Sequence, residues 1–154
     1  MKTVIDELID NLRRIKPETI LSRSVTSQAL QAAADINRSQ LQDGELSSGE
    51  ALNNYAKATE GYNESRSTKV SSSEKIKFYD TGVMYKTIKA NITKDGQLAL
   101  KSTSKKAALS QDYVKDKGYN GNILGLQEEW VSKWFETFVQ DDFLKALKDR
   151  ILTQ

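Results

Sequence analysis

The sequence contains no cysteine and no histidine among its 154 residues. Without a thiol, the chain can form no disulfide and can carry out no thiolate chemistry. Without an imidazole, the Ser-His-Asp and Cys-His catalytic arrangements and the usual zinc sites are excluded. We therefore expect no cofactor and no metal ion.

The sequence also lacks a large excess of charge of one sign and long apolar runs. The 23 basic and 21 acidic residues are mixed along the chain and give a formal charge of +2. Nucleic-acid binders usually carry a stripe of basic residues, so nucleic acid is not the expected partner. No apolar run approaches the ~18 residues of a membrane helix, so no membrane partner is expected. With 38% hydrophobic residues, residues 1–154 are predicted to form a single domain.

The N-terminal part predicts a pair of helices over residues 1–41. Apolar residues recur at helical spacing in residues 4–15, opposite a charged face, which is typical of an amphipathic helix. Pro17 disfavours helix at the residue before it and suits the first turn of a new helix. The second helix is predicted from about residue 18 to residue 41, with an apolar stripe formed by Leu21, Val25, Ala29, Ala32 and Ile36.

Residues 42–75 form a long polar segment whose glycine, serine and asparagine clusters indicate turns. Loops of this length inside a domain are unusual, and they tend to be functional or disordered. Apolar residues are too sparse for a separate core: Leu46, Leu52, Tyr55, Tyr62 and Val70. We expect a long loop or arm outside the core that reaches a neighbouring subunit, with a mobile loop as the alternative, above all over residues 66–73.

A β-hairpin is predicted in the second half of the chain, within residues 76–154. Apolar and polar residues alternate over residues 88–93 and again over residues 97–102. Asp95-Gly96 lies between them and supplies the turn. This pattern predicts a small antiparallel sheet.

Two helices are predicted after the hairpin. Residues 105–117 form a charged segment that should end near Gly118, with Ala108, Leu109, Tyr113 and Val114 as its apolar side. Residues 127–152 predict a closing amphipathic helix that carries both tryptophans and three of the four phenylalanines, with a bend or restart at Asp141-Asp142 as the alternative to an unbroken helix. The predicted fold class is therefore α+β.

The stretch at residues 78–88 joins the long loop to the hairpin. The carboxylate of Asp80 and the hydroxyl of Thr81 each suit the unpaired amides that open a helix. Gly82 permits a positive φ or a close approach of the backbone, and the apolar residues after it recur at helical spacing. We interpret residues 79–86 as a capped turn that joins an extended segment to one or two helical turns.

The triplet Asp80-Thr81-Gly82 has an alternative interpretation. Two such triplets facing each other supply the paired carboxylates of a homodimeric, retroviral-type aspartic protease. The segment at residues 122–125 looks like the apolar-apolar-glycine element beside the catalytic loop of these enzymes. Against this hypothesis, the triplet follows Tyr79 and precedes the bulky Val83. Such enzymes are also nearly all β, whereas this chain is mostly helical in pattern.

Two short sequence patterns, one following the other along the chain, resemble those of a known family. The first is the Thr81-Gly82 turn, followed by an apolar residue and by Thr87 five residues after the glycine. The second is the Gly125-Leu126 entry to the last helix. With the helical pair, the polar loop and the hairpin, they resemble the tail-completion or head-to-tail joining (neck) proteins of tailed bacteriophages, as in Bacteroidetes and crAss-like phages. The likeness covers roughly residues 38–152, and it departs from the family at Gln127, where a Ser or Thr cap is usual.

The resemblance implies a structural virion protein and not an enzyme. Such a protein is a subunit of a symmetric ring in the neck or upper tail, which joins the head connector to the tail and is assembled in the host bacterial cytoplasm. The implied partners are further copies of the chain and other phage connector and tail proteins, while DNA passes through the channel without sequence-specific binding.

A structural role is expected for the residues of the two patterns: Asp80, Thr81, Gly82, Thr87, Gly125 and Leu126. Few basic residues are expected to face the channel, because a strongly basic lining would bind the DNA. Lys105 and Lys106 are the candidates for that position. An adaptor with another partner is the third hypothesis.

Overall fold

The computed structural model describes residues 3–55, 71, 73–79 and 82–153. These residues confirm the α+β class. They form seven helices and two strands, in the order α1 (Val4–Arg14), α2 (Pro17–Ser24), α3 (Ser27–Gln42), α4 (Val83–Lys86), β1 (Ile88–Ile92), β2 (Leu98–Ser102), α5 (Lys105–Asp116), α6 (Glu128–Phe138) and α7 (Gln140–Leu152).

The first helix and the bend at Pro17 are confirmed, but the predicted second helix is wrong as a single element. Thr3 and Asp6 form a capping box at the start of α1, and Pro17 is the first residue of α2. The chain then becomes extended at Val25, and the Thr26 hydroxyl accepts a hydrogen bond from the amide of Ala29 at 3.1 Å. Threonine caps a helix better than it continues one, so α3 begins there.

The hairpin is confirmed. Strands β1 and β2 pair antiparallel, with Ile88 opposite Ser102 and Ile92 opposite Leu98. Between them the Thr93 amide donates to the Gln97 carbonyl at 2.8 Å, and Gly96 takes a φ of +75°. A glycine in this conformation is typical of three-residue hairpin turns.

The start of the polar segment is a loop, as predicted, but it packs into the core and does not lie outside it. Leu46 and Leu52 are buried, and Glu45 and Ala51 form an isolated antiparallel bridge. A second backbone contact closes this loop, because the Leu52 amide donates a hydrogen bond to the Gly44 carbonyl at 2.7 Å. Two well-placed leucines therefore hold a glycine-rich segment that lacks a regular period. The predictions for Tyr62, Val70 and most of the segment after Tyr55 lie outside the described residues.

Helix α3 lies between two groups of buried side chains. The first core group joins Ala34 and Leu41 of α3 to Leu46, Leu52, Met84, Tyr85, Ile88, Ala107, Val114 and Ile123. The second core group joins Ala29 and Ala33 of α3 to Trp134 and Val139. Small alanines on α3 let its neighbours approach closely, and α3 contacts both β1 and α6.

The C-terminal region differs from the prediction in two places. The closing helix is interrupted at Val139, whose backbone leaves the helical region at φ −127° and ψ −37° while its side chain is buried in the second core group. The break lets side chains from both α6 and α7 reach that group. In α5, Ala107 and Val114 are buried, whereas Leu109 and Ala108 of the predicted apolar side are exposed. The end of α5 near Gly118 is confirmed.

Candidate functional site

Three polar residues of α3 hold the two stretches that carry the resemblance. We call Asn37, Arg38 and Gln40 the α3 polar face. The side-chain amide of Asn37, which is fully buried, donates to the carbonyls of Ile123 at 3.0 Å and Gly125 at 2.9 Å. These two bonds fix the orientation of the amide and place residues 123–125 against α3.

Gln40 completes the contact with the second stretch. Its Nε2 donates to the Gly125 carbonyl at 3.0 Å, and its Oε1 accepts from the Gln127 amide at 3.0 Å. Gln127 is the N-cap of α6 and makes no side-chain cap bond, which confirms its expected weakness as a cap. Its side chain instead donates to the Glu45 carboxylate at 2.7 Å. Gln40 therefore satisfies a helix amide that lacks a local cap.

Arg38 holds the first stretch from the same helix. Its Nε donates to the Tyr85 carbonyl at 2.8 Å, and its Nη2 donates to the Ile88 carbonyl at 2.8 Å. The remaining Nη1 pairs with Asp35 one turn earlier on α3. A guanidinium presents its donors in a planar fork, so one side chain fixes both the end of α4 and the start of β1.

Gly82 and Thr87 have structural roles at the two ends of α4. Gly82 is the N-cap at φ +76°, and a Cβ at this position would lie 2.8 Å from the Tyr79 hydroxyl. The Thr87 hydroxyl lies 3.0 Å from the Met84 carbonyl and 2.7 Å from the Ser102 hydroxyl of β2. It therefore ties the end of α4 to the hairpin. Asp80 and Thr81, and the cap predicted for them, lie outside the described residues.

The approach to this turn is not extended as predicted. Phe78 has a φ of +52°, in the left-handed region that non-glycine residues rarely adopt. Its ring packs edge-on against Tyr113 of α5, with 5.8 Å between the ring centroids. Burial of the ring against α5 offsets the cost of the left-handed backbone.

Tyr85 connects α4 to the segment before it. Its hydroxyl donates to the Lys77 carbonyl at 2.6 Å, and its ring centroid is 5.1 Å from that of Tyr79. The Lys77 amide in turn donates to the Tyr55 hydroxyl at 3.2 Å. Burial raises the pKa of Tyr85 well above its usual range, and the nearby Tyr55 and Tyr79 raise this pKa further.

The raised pKa of Tyr85 predicts a loss of stability in alkali. An unfolded tyrosine ionises near pH 10, whereas folded Tyr85 keeps its proton to higher pH. Its contribution to stability is complete below about pH 10 and falls above it, by up to ~1.4 kcal/mol per pH unit. Tyr85→Phe should lose the bond to Lys77 at neutral pH but show a flatter alkaline slope. Urea unfolding of both proteins from about pH 8 to 11 tests this, and equal slopes would contradict it.

Glycine is required at residue 125 because the structure leaves no room for a side chain there. A Cβ at this residue would lie 2.9 Å from the Cβ of Ser47, closer than real Cβ contacts. Gly125→Ala should therefore lower the free energy of unfolding by about 1–3 kcal/mol. The matched control is a double-mutant cycle with Ser47→Gly, which removes the clash but also the Ser47 hydroxyl that accepts from the Asn122 amide. Strictly additive effects in urea unfolding would contradict the steric explanation.

The other predicted site residues occupy separate places. Leu126 is half-buried and packs against the second core group. Lys105 is exposed and Lys106 is half-buried in the first turn of α5, where Ser104 is the cap. The structure thus brings together Gly82, Thr87 and Gly125 through α3, whereas the two lysines are not part of that arrangement.

Sequence reasoning missed the α3 polar face. Asn37 and Gln40 follow the buried Ala33 and Ala34 at helical spacing, so both lie on the core side of α3. A polar residue at a core-facing position needs a buried partner, and that signal was present in the sequence.

Comparison of the chain with protein-family models, curated proteins and solved structures gives no match. Within the described ranges, no group of acidic side chains is arranged to hold a metal ion. No helix in the same ranges has the length and apolar character needed to cross a membrane. Function is therefore inferred from the chain's own residues and geometry.

Proposed function

We propose that the protein is a structural subunit of a ring in the neck or upper tail of a tailed bacteriophage, where it joins the head connector to the tail. The observation that supports this proposal best is the common support of the two stretches that carry the resemblance. Arg38 binds the carbonyls after Gly82, and Asn37 and Gln40 bind the Gly125 carbonyl. Side chains of the one helix α3 thus hold both stretches.

The chemistry of this unit favours a structural role over a catalytic one. The buried amides of Asn37 and Gln40 are bonded to backbone carbonyls, and the guanidinium of Arg38 is bonded to two carbonyls and a carboxylate. Side chains used in this way fix a backbone shape. A ring subunit needs such a fixed shape, because each subunit must present the same surfaces to its neighbours.

The proposed partners follow from the same role. The subunit contacts copies of itself on two sides, the head connector above and tail proteins below. DNA passes through the ring without sequence-specific binding, which agrees with a formal charge of only +2. Lys105 and Lys106 at the start of α5 remain the candidates to face the channel, and Lys105 is exposed.

The aspartic protease is the weaker hypothesis. Gly82 starts a helix, and the described residues are mainly helical, whereas retroviral-type proteases are nearly all β. The residues that resemble the flanking apolar-apolar-glycine element are bound by Asn37 of α3.

Asp80→Asn separates the two hypotheses. For a structural protein, the substitution should leave assembly nearly intact and cost at most about 1 kcal/mol of stability, as for a helix cap. A peptide-cleavage assay on the wild-type and variant proteins is the measurement. A peptidase activity that disappears in the variant while the fold is unchanged would favour the protease.

Electron microscopy tests the location. Antibody raised against the purified protein should label virions of the encoding phage at the head-to-tail junction, and a reconstruction should place the chain in a closed ring around the axis. A two-fold dimer, or a position away from the junction, would overturn the proposal.

A further inference from the structure

The apolar face of α1 is uncovered. Its large side chains have exposed fractions of 83% at Val4, 68% at Ile5, 41% at Leu8, 40% at Ile9 and 48% at Leu12, and the helix has no buried residue. A contiguous row of exposed aliphatic side chains is unusual on a monomer and marks an interaction surface. The four residues from Ile5 to Leu12 have the spacing i, i+3, i+4 and i+7 by which a helix binds in an apolar groove.

An apolar cavity lies elsewhere on the same chain. Its volume is about 470 Å³, and we call it the hairpin cavity because Ile92 and Leu98 of the two strands line it. Leu21 of α2 and Val131 and Phe135 of α6 complete the apolar lining. Val131 and the adjacent Trp130 are partly exposed, at 36% and 38%. Among the described lining residues, Glu136 carries the one charge.

We infer that α1 of one copy docks into the hairpin cavity of a second copy. The two surfaces are both apolar, and α1 ends in Arg13 and Arg14, which can pair with Glu136 at the edge of the cavity. No α1 residue is among the described residues that line the hairpin cavity of its own chain. Instead, the end of α1 is held beside α7, where Arg14 and Ile15 line a different cavity with Ala146 and Arg150.

The contact joins two different surfaces, so it is heterologous. Repeating it adds subunits in one direction, which closes into a ring or extends as a filament. Pairing of α1 with α1 of a second copy would stop at a two-fold dimer and would leave the hairpin cavity unfilled. The inference rests on the proposed ring and names the contact between its subunits.

Three single variants test the contact. Leu12→Asp places a charge on the α1 face, and Val131→Asp places one at the hairpin cavity. Both side chains are partly exposed, so each variant should fold, which circular dichroism and thermal unfolding verify. Leu109→Asp is the matched control, because Leu109 is 67% exposed on α5 and lies on neither surface.

Sedimentation at rising concentration is the readout. The wild-type chain and Leu109→Asp should form species larger than a dimer, and the two interface variants should associate at least about tenfold more weakly. An equimolar mixture of Leu12→Asp and Val131→Asp should give a heterodimer, because α1 of the second variant is intact and so is the cavity of the first. A two-fold α1 contact predicts no heterodimer and leaves Val131→Asp dimeric.

Each remaining outcome has one meaning. A wild-type chain that stays monomeric up to about 1 mM would overturn the inference, as would equal loss of association in Leu109→Asp. If the neck ring still assembles in virions that carry Leu12→Asp and in virions that carry Val131→Asp, the contact is overturned but the proposed function is not. Head-to-tail oligomers from a protein that is absent from the neck would overturn the proposed function but not the contact.

Discussion

Trp134→Ala should lower the free energy of unfolding by about 3–5 kcal/mol. The Trp134 side chain is 3% exposed and is a central member of the second core group. Its Nε1 donates to the Ala29 carbonyl of α3 at 2.6 Å, so alanine leaves a large cavity and also removes a buried hydrogen bond between α6 and α3. Urea unfolding followed by far-UV circular dichroism measures the loss.

Trp130→Ala is the matched control on the same helix. Trp130 lies one turn earlier, is 38% exposed, and has the Lys133 ammonium 4.7 Å from its ring centroid. Its replacement should cost clearly less than that of Trp134, because 38% of Trp130 is already exposed to water. Both variants are best measured in the Leu12→Asp background, which removes the proposed contact near Trp130. Similar losses for the two tryptophans would contradict the assignment of Trp134 to the core.

Trp134→Phe separates the two contributions at this residue. Phenylalanine keeps much of the apolar area but cannot donate to the Ala29 carbonyl. The expected loss from the missing bond is about 0.5–1.5 kcal/mol, because the Ala29 carbonyl keeps its hydrogen bond within α3. A loss as large as that of alanine would mean that shape, and not the hydrogen bond, determines the requirement for tryptophan.

The second large effect is expected at Asn37. Asn37→Asp keeps the size of the side chain but replaces its amide donor with a carboxylate oxygen, which would face the carbonyls of Ile123 and Gly125. An uncompensated buried charge costs about 3–5 kcal/mol, which is a large part of the ~5–15 kcal/mol that stabilises an ordinary domain. The native Oδ1 of Asn37 is buried without a partner among the described residues, so the structural contribution of Asn37 comes from its donors.

Asn91→Asp is the matched control, because Asn91 is exposed on β1 and the chemical change is the same. It should change the free energy of unfolding by less than about 0.5 kcal/mol. The difference in the free energy of unfolding between Asn37→Asp and the wild type should also become smaller in acid, since a neutral carboxyl group can again donate one hydrogen bond. A difference in the free energy of unfolding that does not depend on pH would indicate a packing defect and not a lost donor.

The elements with a regular period could be predicted from the sequence. Alternation around Asp95-Gly96 specifies the hairpin, and the amphipathic period of residues 4–15 specifies α1, because these signals are local. The break at Val25 could not be predicted in this way, and Asp141-Asp142 indicates only the approximate position of the break at Val139. Each lies within an apolar period that continues through it, and the buried contacts that the break allows are visible only in three dimensions.

The same limit applies to the α3 polar face and to the start of the polar segment. Leu46 and Leu52 are isolated in the sequence, so no period marks them, yet both pack into the first core group. The position of Asn37 on the core side of α3 indicates a buried partner, but its partners are 86 and 88 residues away and no local pattern identifies them. The sequence can therefore indicate that a polar side chain is buried, but not which distant segment buries it.

The long separation between α3 and its partners affects how the protein is made. The donors of Asn37 and Gln40 have no acceptors until residues 123–125 have been synthesised, which takes several seconds at about 5–20 residues per second. Until then, burial of this side of α3 would leave polar groups unsatisfied, so the helix stays open to solvent during translation. This part of the fold is therefore completed only after residues 123–125 have been synthesised, and the exposed intermediate is the state in which premature association must be avoided.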